Sequence, residues 1–191
     1  MKKHQMELID EAYLKKLACI KLTWEDMMIS SNVKSALDNI RNWIIGRRRI
    51  QQNYQSNKNL NIGFIAVFHG NLSCEKLLST FLIGKEFDMP VYRIDLSKIV
   101  SKYIGETEKN LDRIFESVSN NHILFFDEAD ALFGKRTQVS DANDRYANIE
   151  NSYFLQEIEN IKGLAILNYR KITDVDNAFL RRINSVINFS S

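Results

Sequence analysis

Apolar residues in the first sixty positions recur every three or four residues: Ile9, Tyr13, Leu17 and Ile20, then Val33, Leu37, Ile40 and Ile44. That spacing puts each set on one face of a helix and predicts two amphipathic helices. After a polar stretch over 51–61 the pattern changes to short apolar runs at 62–68, 91–94, 123–126, 164–167 and 186–189. Each run has the length of a strand and is apolar on both faces, as strands buried in a parallel sheet are. Helical periodicity returns between the runs, in Leu77, Leu78, Phe81 and Leu82, in Leu111, Ile114, Phe115 and Val118, and in Tyr146, Ile149 and Tyr153 continuing into Phe154, Ile158 and Ile161. Strands alternating with helices imply an α/β fold, a five-stranded parallel sheet with helices on both faces. The expected division is a helical N-terminal segment and linker over 1–60 and the α/β core over 61–191.

Composition narrows the class without changing the fold. With 191 residues, 45% hydrophobic and 26% charged, the chain is expected to be one soluble globular domain. No apolar run approaches the roughly 20 residues needed to cross a bilayer, and the first ten residues lack the apolar stretch of a secretory signal. A cytoplasmic protein with no membrane partner is therefore expected. Cys19 and Cys74 are far apart and have no metal-ligand spacing, which reads as reduced thiols. Net charge is only +2, yet residues 1–60 hold 11 of the 26 Lys and Arg and 6 of the 24 Asp and Glu. Most of that excess is Arg47, Arg48 and Arg49, which a solvated helix end explains. Nothing aromatic interleaves these arginines in sequence, so nucleic-acid binding is the reading the chain supports least.

Ligands of open α/β sheets gather beyond the carboxyl ends of the strands, which directs attention to Gly70, Asp95, Asp127 and Asn168. The string Ile-Leu-Phe-Phe-Asp-Glu-Ala-Asp at 123–130 is an apolar strand ending in three carboxylates. Carboxylates so placed commonly hold Mg²⁺ through water and orient a nucleophile. This string resembles the Walker B motif of the AAA family of ATPases, a P-loop NTPase-type fold. The resemblance makes Asp127 the magnesium-side acid and Glu128 the residue that polarises the attacking water. It extends over about 23–189. Ser-Lys-Tyr-Ile-Gly-Glu-Thr-Glu-Lys-Asn at 101–110 is similar to the family's central-pore loop, with Tyr103 facing the pore, and residues 130–136 and 144–150 resemble the region after Walker B. Asp-Asn-Ala-Phe-Leu-Arg-Arg at 176–182 resembles the segment leading to the arginine fingers, with Arg181 as the first finger.

The phosphate-binding loop departs from its pattern. In G-x-x-x-x-G-K-[ST] the glycines let successive N–H groups curl around phosphates, the Lys pairs with β/γ-oxygens and the hydroxyl meets Mg²⁺. Gly70, Asn71, Leu72, Ser73, Cys74, Glu75, Lys76 and Leu77 keep the first Gly and the Lys. Ser73 and Glu75 replace glycines, so a left-handed backbone there would cost about 1–2 kcal/mol per residue. Glu75 also adds a charge that repels phosphate by roughly 3 kcal/mol at about 5 Å and an effective dielectric near 20. Leu77 supplies no hydroxyl.

Downstream, Tyr169 and Arg170 stand where the family carries Thr and the Asn that senses the γ-phosphate, and Asn184 stands where a second finger is expected. A basic helix end explains Arg181 and Arg182 nearly as well as a finger does. The chain stops at Ser191, whereas family members continue into a small helical lid. His69 and His122 have no partner spacing that suggests a ligand or base, and are read as structural. The resemblance implies ATP and Mg²⁺, both bound weakly, with ATP or ADP and a protein client or partner AAA subunits as partners. Two functions compete: an ATPase remodelling proteins in a ring with weakened hydrolysis, and a pseudo-ATPase acting as a scaffolding or regulatory subunit.

Overall fold

The computed structural model describes residues 21–53, 63–99, 105–117, 121–130, 152–175 and 177–190. Its elements are α1 (Ser31–Asn53), β1 (Phe64–His69), α2 (Ser73–Glu86), β2 (Val91–Asp95), α3 (Leu96–Ile99), α4 (Glu106–Ser117), β3 (Ile123–Asp127), β4 (Leu164–Asn168), α5 (Asn177–Leu180) and β5 (Ser185–Asn188). Residues 152–159 are also helical. The five strands form one parallel sheet in the order β2-β3-β4-β1-β5. Every apolar run predicted to be a strand is one, displaced by no more than two residues at either end.

Alternation along β1 divides the core into two layers. Ile65 and Val67 face one layer with residues of α4 and of the helix at 152–159, namely Leu111, Ile114, Phe154 and Ile158. Phe64, Ala66 and Phe68 face the other, shared with α1 and α2. The strands β3 and β4 are buried throughout, which is why they read as unbroken apolar runs rather than alternating ones. In α1 the buried residues are Val33, Leu37, Ile40 and Ile44, the stripe set by the sequence period. Fully burying each such side chain stabilises the fold by about 1.5–3 kcal/mol, and here it joins the N-terminal helix to the sheet's own core.

The chain before α1 is fastened by polar contacts. Thr23 and Asp26 form a reciprocal capping box around a short turn, and the indole of Trp24 donates to Glu86 at 3.2 Å. Arg41 lies over the Trp24 ring and pairs with Glu86 at 3.1 Å. The arginines expected at a solvated helix end lie inside α1. Arg47 lies over Trp43, one turn back on the same helix, and Arg48 over Phe87, whose carbonyl Arg48 also meets and which only folding brings near. The predicted helix carrying Ile9, Tyr13, Leu17 and Ile20 lies outside the described residues, as do Tyr103, residues 131–136 and residues 144–150. Among the described residues no helix is long and apolar enough to cross a membrane.

Candidate functional site

The parallel register brings the ends of β1, β2, β3 and β4 together at one edge of the sheet. Asp95 on β2 lies beside Asp127 on β3, and Arg93 lies beside Phe125. Because side chains alternate, Arg93 and Asp127 share a face as diagonal neighbours, within reach of a long side chain. Arg93 donates to Asp127 Oδ2 from Nε at 2.9 Å and from a terminal nitrogen as well. Asp127 Oδ1 accepts from Asn168 Nδ2 at 2.6 Å and from the Glu128 backbone N–H at 3.0 Å. Four donors therefore occupy the two oxygens of a carboxylate that is only 8% exposed. Arg93 was not singled out from the sequence. Its signal was a cation inside an otherwise apolar run, which finds a partner where that strand packs against its neighbour.

The chain turns sharply after Asp127. Glu128 has φ +53°, a left-handed conformation that costs a non-glycine residue about 1–2 kcal/mol. The turn sends its carboxylate outward, where Arg170 pairs with it at 3.1 Å. The backbone N–H of Arg170 donates to Asp130 at 3.1 Å. Both side chains of the Arg170–Glu128 pair are substantially exposed, so the contact is loose compared with the one at Asp127.

Across from these carboxylates, the segment 70–77 does not form an open loop. Gly70 has φ +111°, and a Cβ there would lie 2.5 Å from the Phe189 carbonyl oxygen, so only glycine fits. Helix α2 begins at Ser73, and the Lys76 N–H donates to the Leu72 carbonyl. Ser73 and Glu75 avoid the left-handed region, where a Cβ would be strained, by taking up the helix's first turn. Ser73 and Cys74 are exposed, whereas Leu77 is 7% exposed and packs into the layer shared with α1.

Lys76 is fully buried. Its ammonium donates to the carbonyls of Gly70 at 2.8 Å and Tyr169 at 2.9 Å, tying the end of β1 to the end of β4. Burial pulls its pKa below the ordinary lysine value, against the opposing pull of Asp127, Asp130 and Glu128, with Arg170 adding to the lowering. Burial, then the charge of Lys76, lowers the pKa of the neighbouring His69. Three carboxylates thus face three cations, Lys76, Arg93 and Arg170.

Other residues picked out from the sequence have local duties. Burial pushes the Asp95 carboxyl up, but hydrogen bonds from Ser97 and Lys98 outweigh it and hold the group below the usual range. Asp95 thereby caps α3. Arg182 pairs with Glu159, while Arg181 is exposed just after α5. Asn184 Oδ1 accepts from the Ile65 N–H at 2.8 Å and its own N–H donates to the Ile65 carbonyl at 2.9 Å. It clamps β1 at the position where the family resemblance implies a second finger.

A magnesium ion does not fit this arrangement. It needs oxygen ligands and room for several waters, yet Asp127 has no acceptor position left, Leu77 brings no oxygen, and three cations already surround the acids. Among the described residues no group of three His, Cys, Asp or Glu is arranged to hold a metal.

Comparison with known proteins gives this geometry its context. The model of the family described as "ATPase family associated with various cellular activities (AAA)" matches residues 67–191. The chain is 32% identical over 126 residues to an uncharacterized AAA family ATPase, y4kL, of Sinorhizobium fredii, covering 64% of this chain and 38% of that protein. It is 30% identical over 133 residues to cell division protein C of Sulfolobus acidocaldarius, covering 62% and 34%. It is 29% identical over 116 residues to a proteasome-activating nucleotidase of Pyrococcus furiosus, covering 56% and 29%. The matched region thus spans between about three tenths and two fifths of these relatives' lengths.

Proposed function

We propose, from the premise that the chain belongs to the AAA family of ATPases, that it is a nucleotide-binding core that holds ATP or ADP weakly and hydrolyses ATP slowly. In this reading it serves as a regulatory or scaffolding subunit beside other AAA subunits that act on a protein client. Family membership implies nucleotide binding, typically with Mg²⁺. The observation that carries the finer reading is Lys76. A lysine that pairs with phosphate must be able to reach it, and here its ammonium is buried against Gly70 and Tyr169. Binding phosphate would require breaking two charge-assisted hydrogen bonds, each worth about 1.5–3 kcal/mol.

The acidic side supports the same conclusion for turnover. Glu128, the residue assigned to polarise water, is charge-paired with Arg170. The pair occupies the oxygens that would have to receive the water's proton. A relative such as the proteasome-activating nucleotidase of Pyrococcus furiosus fits an assembly that works on other proteins. Tyr103 is assigned to a central pore in this reading.

Calorimetric titration of ATP and ADP tests binding, with a dissociation constant of about 0.1 mM or weaker expected. The competing reading is an ATP-driven remodeller with weakened hydrolysis, and turnover by the purified chain in the usual enzyme range of about 1–10³ per second would overturn the proposal. The triple substitution Ser73→Gly, Glu75→Gly and Leu77→Thr reopens the loop and removes a repulsive charge. It should tighten nucleotide binding by up to about a hundredfold, with hydrolysis still slow because Arg170 remains. Since Leu77 is a core residue, thermal unfolding should fall in the same variant.

A further inference from the structure

We infer that Arg93 takes the place of the divalent metal at Asp127, so that the ligand of this site is a nucleotide phosphate free of metal. This rests on the nucleotide-binding reading above and adds the chemical form of the ligand. A carboxylate at the end of a buried strand must be neutralised, and a guanidinium does this as well as a metal does. The register decides which. Arg93 lies on the strand next to β3, on the same face as Asp127, and delivers two N–H groups to one carboxylate oxygen. Asn168 and the Glu128 N–H fill the other oxygen, leaving no position for a metal-bound water.

The rest of the site agrees. Magnesium ordinarily also takes a hydroxyl from the residue after the phosphate-loop lysine, and Leu77 offers instead a side chain buried in the core. A divalent ion entering the cluster would meet Lys76, Arg93 and Arg170, which already face Asp127, Glu128 and Asp130. With the acids already met by the protein's own cations, a metal adds nothing to the site's hold on a phosphate, which is therefore held or lost irrespective of magnesium.

The experiment uses Mn²⁺ as a probe, its free form followed by electron paramagnetic resonance during titration into the full chain. In the parent the free signal should match a protein-free control. Uptake of one Mn²⁺ per chain that Asp127→Asn abolishes would overturn the inference. In Arg93→Gln the freed carboxylate should gain Mn²⁺ affinity by about tenfold or more, and Asp127→Asn in that background should remove it. A folded Arg93→Gln that gains no Mn²⁺ also overturns it.

Should Arg93→Gln fail to fold, the parent still decides through a fluorescent ADP analogue titrated with excess Mg²⁺ and with EDTA. Affinities within about twofold of each other are expected. Tightening of about tenfold by Mg²⁺ counts against a metal-free ligand, whereas no binding under either condition counts against the nucleotide-binding reading on which it rests. Rapid turnover would overturn the slow-subunit reading, whereas metal dependence would overturn this one, so the two fail separately.

Discussion

The two sides of the candidate site give opposite impressions in sequence and the same one in space. Segment 70–77 looks damaged, with Ser73, Glu75 and Leu77 in place of the residues a phosphate loop needs. The acidic end at 127–130 looks whole. Folded, both are closed by the protein's own groups: Lys76 by two carbonyls, Asp127 by Arg93, Asn168 and the Glu128 N–H. They differ in depth. Lys76 and Asp127 are shut away from water, whereas Glu128 and Arg170 meet at the surface. A motif complete in sequence therefore says which groups are present, and the neighbouring strands decide whether those groups are available.

The largest test of this comparison is Lys76. A solvent-facing phosphate lysine can be removed at little cost, but here Lys76→Ala leaves a cavity, two carbonyls without their donor and an acidic cluster short of one cation. We expect a loss of about 3–5 kcal/mol in urea denaturation, with Lys76→Met, which keeps the volume, losing less. A change below about 0.5 kcal/mol would mean that Lys76 is not buried in solution.

On the acidic side, Asp127→Asn should cost about 2–4 kcal/mol, because Arg93 keeps its charge and loses the carboxylate to which it donates two N–H groups. A neutral result, by denaturation at pH 7, would dissolve the claim that this side is as firmly closed as the other.

The amino end of β3 offers a contrast in which pairing is missing. His122 is buried, and among the described residues neither ring nitrogen has a hydrogen-bond partner. Burial, helped by the charge of Arg47, lowers its pKa from 6.5 to about 4. Between those values the unfolded chain takes up a proton that the folded chain refuses, so stability is full above pH 6.5 and falls as pH drops toward 4. After allowance for partial solvent access the loss should be about 2 kcal/mol. Denaturation curves at pH 7 and pH 4.5 would measure it, and His122→Gln should flatten the difference between them.

The smallest effect is expected at the exposed pair. Arg170→Asn should change stability by less than about 1 kcal/mol while leaving Glu128 unpaired. A large destabilisation by Arg170→Asn would place that pair with the buried contacts and sharpen the site into one closed unit.

Much of this was legible in the sequence. The stripe Val33, Leu37, Ile40 and Ile44 and the five apolar runs appear where they were expected, because burial against a sheet imposes a period that the local order of apolar residues carries. The residues gathered at the strand ends, Gly70, Lys76, Asp127, Glu128 and Arg170, were also visible, since a parallel sheet brings the ends of its strands together. What tertiary structure decided was partnership. Arg93 is 34 residues from Asp127, and Lys76 is 93 from Tyr169. No local spacing links such pairs; the strand order and register do. Likewise Leu77 and Asn184 read as lost functional residues until the fold showed one filling the core and the other clamping β1. Sequence determined the layers and the chemical groups, through periodicity that each segment carries within itself. Only the folded sheet decided which charge neutralises which, because that depends on distances between segments that never meet along the chain.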